Sequence, residues 1–154
     1  VPEKRAELTT EGGLDVAGQV AWLTDYVSKL QAVGIKVSLF IDPEDKQIAA
    51  AVSCGADAIE LHTGAYAEAG LAGNIAKIND ELTRIKQAVQ TAQHADPKLL
   101  VNAGHGLTRD NVHAIAQIDG IYELNIGHAL IADAVFVGLE QAVIMMKSAM
   151  RQNA

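Results

Sequence analysis

The sequence predicts an α/β protein with a parallel sheet. Short apolar runs alternate with longer segments of helical periodicity four times along 154 residues, and parallel neighbours need such crossovers. No long linker or low-complexity stretch interrupts the alternation. Two strand ends then repeat one motif: Asn102-Ala103-Gly104-His105-Gly106-Leu107 and Asn125-Ile126-Gly127-His128-Ala129-Leu130 both read Asn-x-Gly-His-small-Leu. Successive glycine-bearing strand ends suit the (β/α)8 TIM barrel, whose last two βα loops commonly hold phosphate with glycine N–H groups and a helix N-terminus. A doubly wound sheet would carry a Gly-x-Gly-x-x-Gly turn, which the sequence lacks. A whole barrel takes about 250 residues. The expectation is therefore the C-terminal part of one barrel domain over 1–154, about four to five βα units, with the N-terminal strands outside the chain. The opening Val1-Pro2, with no Met, points the same way.

In chain order, residues 1–5 read as the tail of a strand. Residues 8–15, polar and glycine-bearing, suit a mobile cover over a site, or an ordinary loop feeding a helix cap. A helix over 16–33 places Val20, Trp22, Leu23, Tyr26, Val27 and Leu30 on one broad apolar face, and Gly34 stops it. Residues 36–41 form a strand ending at Asp42-Pro43. A helix over 44–53 turns Ile48, Ala49 and Val52 inward and stops at Gly55. Residues 58–62 form a strand, and 65–73 a small flexible loop. A long helix over 74–94 carries Ile75, Ile78, Leu82, Ile85 and Val89 at helical spacing. Leu99, Leu100 and Val101 make a strand buried on both sides. Thr108 caps a short helix beginning at Arg109. The next strand starts at Glu123, and a buried amphipathic helix runs over 130–150. Asp133, Glu140 and Gln141 interrupt its apolar character, which argues against a membrane span.

Composition narrows the function. The chain is 49% hydrophobic, enough for a sizeable core. The formal net charge is −7 with no Lys/Arg cluster, which argues against nucleic-acid binding. A phosphate would have to be held by local N–H groups and helix dipoles, against the global field. Cys54 is the only cysteine, so no intramolecular disulfide or thiolate metal cage forms, and a reduced, cytoplasmic setting fits. Cys54 itself reads as a small buried apolar residue.

Three residues stand out chemically. Glu60 lies inside an apolar strand, where a charge is costly unless paired or functional. Alternate residues share a face, so Glu60 and His62 would both point into a barrel. Glu60 could act as a general base or stabilise a cationic intermediate, against a purely structural ion pair. His105 is a general acid/base candidate, and His128 could act likewise or donate to a phosphate oxygen. His62, His105 and His128 could in principle bind a metal, but they come from separate strands with no helical His-x-x-x-His pair, so no metal is expected. His94 and His113 read as helix-surface residues.

Several motifs together resemble one family, the pyridoxine 5'-phosphate synthases of vitamin B6 biosynthesis. They are Val1-Pro-Glu-Lys-Arg5, Thr9-Thr-Glu-Gly-Gly-Leu-Asp15, Val37-Ser-Leu-Phe-Ile-Asp42, Ile59-Glu-Leu-His-Thr-Gly64, Val101-Asn-Ala-Gly-His-Gly-Leu107 and Glu123-Leu-Asn-Ile-Gly-His-Ala-Leu130. The resemblance implies a (β/α)8 barrel that condenses 3-amino-2-oxopropyl phosphate with 1-deoxy-D-xylulose 5-phosphate to pyridoxine 5'-phosphate, phosphate and water. By motif, Glu60 assists transition-state stabilisation and His105 donates a proton. Thr9 contacts substrate from a covering loop, and Gly106, Gly127 and His128 contact substrate or product near the phosphate. The resemblance implies no metal or organic cofactor, phosphorylated small-molecule substrates, and a homo-octamer. The family's first three strands and further catalytic residues precede the Val-Pro-Glu-Lys-Arg motif, so the chain alone is expected to be inactive. The rivals are another phosphate-binding barrel lyase or epimerase, and a non-catalytic half-barrel that binds phosphometabolites. Lys36 and Lys98 sit at strand starts, the wrong end for a Schiff-base aldolase.

Overall fold

A computed structural model describes residues 12–151; Thr9 and the expected strand tail at 1–5 lie outside the described residues. A 3₁₀ turn at Ala17–Gln19 leads into α1 (Val20–Gln31). Then follow β1 (Ser38–Ile41), α2 (Asp45–Ser53), β2 (Ala58–His62), α3 (Gly64–Leu71), α4 (Ile75–Ala95), β3 (Leu100–Gly104), α5 (Val112–Ala116), β4 (Ile121–Asn125), α6 (His128–Val137) and α7 (Leu139–Arg151).

Among the described residues, the four strands are parallel and lie in the order β1-β2-β3-β4. An order that never reverses, with helices packed on one face only, fits a barrel wall; a doubly wound sheet turns back at a switch point and carries helices on both faces. The two faces differ sharply. Leu39, Ile41, Ile59, Leu61, Val101 and Ala103 are buried against Leu23, Val27, Ile48, Ile85, Val89 and Ile115 in one core. Each such Ile, Leu or Val contributes about 1.5–3 kcal/mol by leaving water. The alternate residues Phe40, Glu60, Asn102 and His62 form the opposite face, which would be the inside of a closed barrel. The register fixes their neighbours: Phe40 pairs with Glu60, Glu60 with Asn102, and His62 with Gly104.

Polar pins tie the layers together. Gln47 is buried; its Oε1 accepts from Val16 N at 2.8 Å and Ala17 N at 3.0 Å, while its Nε2 donates to Asp15 Oδ1. Leu14 N donates to Phe40 O at 2.7 Å, so residues before the 3₁₀ turn run along the β1 edge. Asp57 Oδ2 accepts from Val37 N at 2.8 Å and Gln31 Nε2 at 3.0 Å. These bonds hold the Asp57 carboxyl below its usual range, Gln31 acting most and Val37 next. Between β3 and β4 the register shifts: Val101 pairs with Ile121 but Ala103 with Leu124, so Tyr122 and Glu123 together oppose Asn102 in a bulge.

Several expectations need correction. Within the stretch 65–73, residues 65–71 belong to helix α3 and are not a loop. It is rich in alanine, a strong helix former, and its Tyr66 is buried with the hydroxyl donating to Asn111 O at 2.7 Å. The helix after β3 starts at Val112, with Asn111 before it, because residues 108–111 form a turn in which Asn111 Oδ1 accepts from Thr108 N. The last helix is two helices, broken at Gly138, which has φ +82°. Nor is the first of these buried: Val135 is 77% and Phe136 87% exposed, and α6 has no buried residue. On α1 only Leu23 and Val27 are buried. Trp22 and Tyr26 stack on each other outside, 58% and 50% exposed, with ring centroids 5.2 Å apart. Ala49 of α2 and Ile75 of α4 also face solvent, whereas Ala50 and Ala51 turn inward. No helix among the described residues is long and apolar enough to cross a membrane.

Candidate active site

The C-terminal ends of β1 to β4 converge on a cavity of about 520 Å³. Phe40, Glu60, His105, Gly106, Asn125, Gly127 and His128 are among its lining residues. Of the residues singled out from the sequence, Glu60, His105, Gly106, Gly127 and His128 therefore share one space, while Thr9 lies outside the described residues.

Glu60 is held by a strand neighbour two positions across the sheet. Asn125 Nδ2 donates to Glu60 Oε2 at 2.8 Å, and Gly104 between them leaves room for Glu60 Oε1, which a Cβ there would strike. A carboxylate bonded to a neutral amide keeps its charge available for a cationic partner.

His105 follows β3 with φ +80°, the only non-glycine residue with positive φ among the described residues. Such a backbone costs of order 1–3 kcal/mol and persists only where its surroundings over-determine it. Thr63, fully buried, supplies part of that: its hydroxyl lies 2.8 Å from Gly104 O and 2.6 Å from His105 O, and its N–H donates to Gly104 O. Gly106 follows at φ +74° against Ala67, and Asn111 Nδ2 donates to its carbonyl at 3.1 Å. The first Gly-His loop is thus pinned on both sides of the imidazole.

The second Gly-His loop opens helix α6. Gly127 is its N-cap and provides no side-chain cap, so the first-turn N–H groups beside Gly127, His128 and Ala129 are not satisfied by a capping side chain. This is the polarity that attracts an anion. Arg109 Nε donates to Asp133 Oδ2 at 2.8 Å and ties the first loop to α6.

On the same sheet face as Glu60, His62 Nδ1 lies 3.1 Å from Asp42 Oδ1, and its ring contacts His105, with centroids 4.9 Å apart. Asn125 and Asp42 were not marked by the sequence as functional. Asn125 lies 65 residues from Glu60 and Asp42 lies 20 from His62, and only the strand register brings them together. Period-two alternation from Glu60 was the one available signal, and it reaches His62. His94 is exposed, as read from the sequence, but His113 is half-buried with Nδ1 3.3 Å from Met150 O. Cys54 is buried beside α1. Among the described residues no group of three or more His, Cys, Asp or Glu side chains is arranged to hold a metal ion.

Comparison with known proteins adds a lineage. Residues 1–152 match the family described as Pyridoxal phosphate biosynthesis protein PdxJ. The chain is 57% identical over 150 residues to a protein named Pyridoxine 5'-phosphate synthase from Synechococcus sp. (strain JA-2-3B'a(2-13)). It is 55% identical over 148 residues to one of the same name from Alcanivorax borkumensis. These alignments cover 97% and 96% of this chain, but only 61% and 59% of those relatives' own length. Among solved structures, the YdjI aldolase from Escherichia coli K12 overlaps 89% of this chain and 55% of its own, at 15% identity and a TM-score of 0.47. With a family match over nearly the whole chain and two relatives above half identity, the chain belongs to the Pyridoxal phosphate biosynthesis protein PdxJ family.

Proposed function

We propose that this chain is the C-terminal part of a (β/α)8 barrel enzyme, a pyridoxine 5'-phosphate synthase. In the full-length protein it would condense 3-amino-2-oxopropyl phosphate with 1-deoxy-D-xylulose 5-phosphate, releasing phosphate and water. The observation that carries this reading is one cavity uniting a carboxylate, an imidazole on a strained backbone and an uncapped helix N-terminus. Schiff-base formation, dehydration, phosphate loss and ring closure each move protons, so acid and base groups must face one space. Glu60, steadied by Asn125, stabilises the cationic intermediates. His105 donates the proton to the departing oxygen. Gly106, Gly127 and His128 hold a substrate phosphate through N–H groups and the α6 dipole, which lets an acidic protein bind an anion. Thr9, by family resemblance, contacts the substrate. No metal or organic cofactor takes part, and the working form is a cytoplasmic homo-oligomer, an octamer by family resemblance.

The test is formation of pyridoxine 5'-phosphate by the full-length protein and by its E60Q and H105N variants. Each substitution is expected to lower kcat by about 10²–10⁴-fold. Undiminished turnover in either variant removes that residue from the chemistry. The isolated 154-residue chain, verified by intact mass, is expected to form no product. Turnover by that chain alone would overturn the partial-barrel reading. Phosphometabolite binding without turnover by the full-length protein would favour a binding module instead.

A further inference from the structure

We propose that Asp42 and His62 form a positioning pair for His105, with His62 acting on the reaction through the His105 ring and not on the substrate. This deepens the reading of His105 as proton donor and rests on it. His62 follows Glu60 by two residues, so both side chains leave the same face of β2. Its Nδ1 lies 3.1 Å from Asp42 Oδ1. A carboxylate only accepts, so this bond places a ring proton on Nδ1, and in the neutral ring Nε2 is then a bare acceptor. That Nε2 is buried and without a hydrogen-bond partner among the described residues. Buried polar atoms are rarely left so, and each exception calls for a role.

What Nε2 faces is defined by Gly64. A Cβ built there would come within 2.6 Å of His62 Nε2 and 3.1 Å of His105 Cδ2. The edges of two imidazoles thus converge on a space that only glycine leaves open, their planes inclined at 56°. Phe40 closes the other side, its ring centroid 5.1 Å from that of His62 and 6.4 Å from that of His105. The His105 backbone is already fixed by Thr63. His62 therefore supplies the wall that sets the plane of the His105 ring above the cavity. With Nδ1 bonded to Asp42 and Nε2 buried, His62 has no ring nitrogen free to bond a substrate. Its role is to position.

The experiment separates the two nitrogens of His62 in the full-length protein. Asn places an amide where Nδ1 lies, keeping the bond to Asp42 but vacating the edge beside His105. Gln places its amide at the Nε2 position. H62N is expected to lower kcat by about ten- to a hundredfold, the usual loss when a reacting group is misplaced by about 1 Å. Both KM values should stay within about twofold, since substrate contacts remain. H62Q should retain more of kcat than H62N. A reversed order, an unchanged kcat in H62N, or a loss confined to KM would overturn the proposal. Imidazole ¹⁵N spectra add a test independent of turnover, and for the unmodified protein independent of any variant's folding. They should show His62 protonated at Nδ1 and bare at Nε2, and D42N should shift the His105 ring signals. The opposite tautomer, or a His105 signal untouched by D42N, overturns the pairing. Absence of product from the unmodified protein would overturn the proposed activity instead, and the spectra would still decide this point.

Discussion

Adding one methyl group at Gly104 is the sharpest perturbation of the Glu60 site. A Cβ at this position would strike Glu60 Oε1, lie 2.9 Å from Asn125 O and 3.2 Å from Asn125 Cβ. The carboxylate is the end of a flexible side chain and can retreat; the Asn125 carbonyl is strand backbone and cannot. Gly104→Ala should therefore act twice. Overpacking against β4 costs about 1–3 kcal/mol, which at about 2–4 °C per kcal/mol lowers Tm by about 2–12 °C. Glu60 must also move by about 1 Å and leave its bond with Asn125, which should lower kcat by about a hundredfold. Both are measurable on the full-length protein, by thermal unfolding and by pyridoxine 5'-phosphate formation well below Tm. Wild-type kcat with an unchanged Tm would refute the steric reasoning. A kcat loss no larger than the unfolded fraction would refute the assignment of Glu60.

Other consequences are open to direct measurement. Thr63→Val keeps the shape but removes the hydroxyl from two carbonyls in a fully buried site, so urea unfolding should show a loss of about 1–3 kcal/mol. Asp57→Asn should destabilise the protein by about 1 kcal/mol at neutral pH, because its carboxylate accepts from Gln31 and Val37. Asp57 has a depressed pKa in the folded state, so its contribution is present above its ordinary value of 3.8 and lost as pH falls through the folded one. The gap between wild type and variant, followed by urea unfolding from pH 7 to 2, should close at the acid end. Val135→Ser with Phe136→Ser should leave the stability of the isolated chain within about 0.5 kcal/mol per site. It should also reduce binding of a hydrophobic dye, since both side chains already face solvent.

The sequence made the strand order readable wherever one residue pattern had one meaning. Ser38–Ile41 and Ala58–His62 are short, apolar and bounded by turn residues, and both are strands. Glu60 stood out because a carboxylate among Ile59, Leu61 and Ala58 has few structural reasons to be there. Helix α3 was missed because Gly64, Gly70 and Gly73 looked like loop punctuation, while tertiary packing of Tyr66 and Ala67 sets the outcome. The exposure of α6 was illegible for another reason. Periodicity tells which residues share a face but not whether anything lies against it, and this chain spans about 60% of its relatives' length. The partners of the site residues, Asn125 for Glu60 and Asp42 for His62, depend on register between strands, which no local pattern encodes.

The bulge opposite Asn102 sets the phase of everything downstream of it. With Tyr122 and Glu123 sharing one pairing position, Ile121 and Leu124 both join the helix-side core although they are an odd number of positions apart. Asn125 consequently emerges on the Glu60 side. If Tyr122 and Glu123 instead paired in strict alternation, the strand would invert beyond Ile121: Leu124 would enter the cavity and Asn125 the core. A one-residue slip in pairing, with no alteration to any side chain named as functional, would thus exchange the carboxylate's amide partner for an isobutyl group. For this fold the bulge between Ile121 and Leu124 carries as much chemical information as the identity of Asn125 itself.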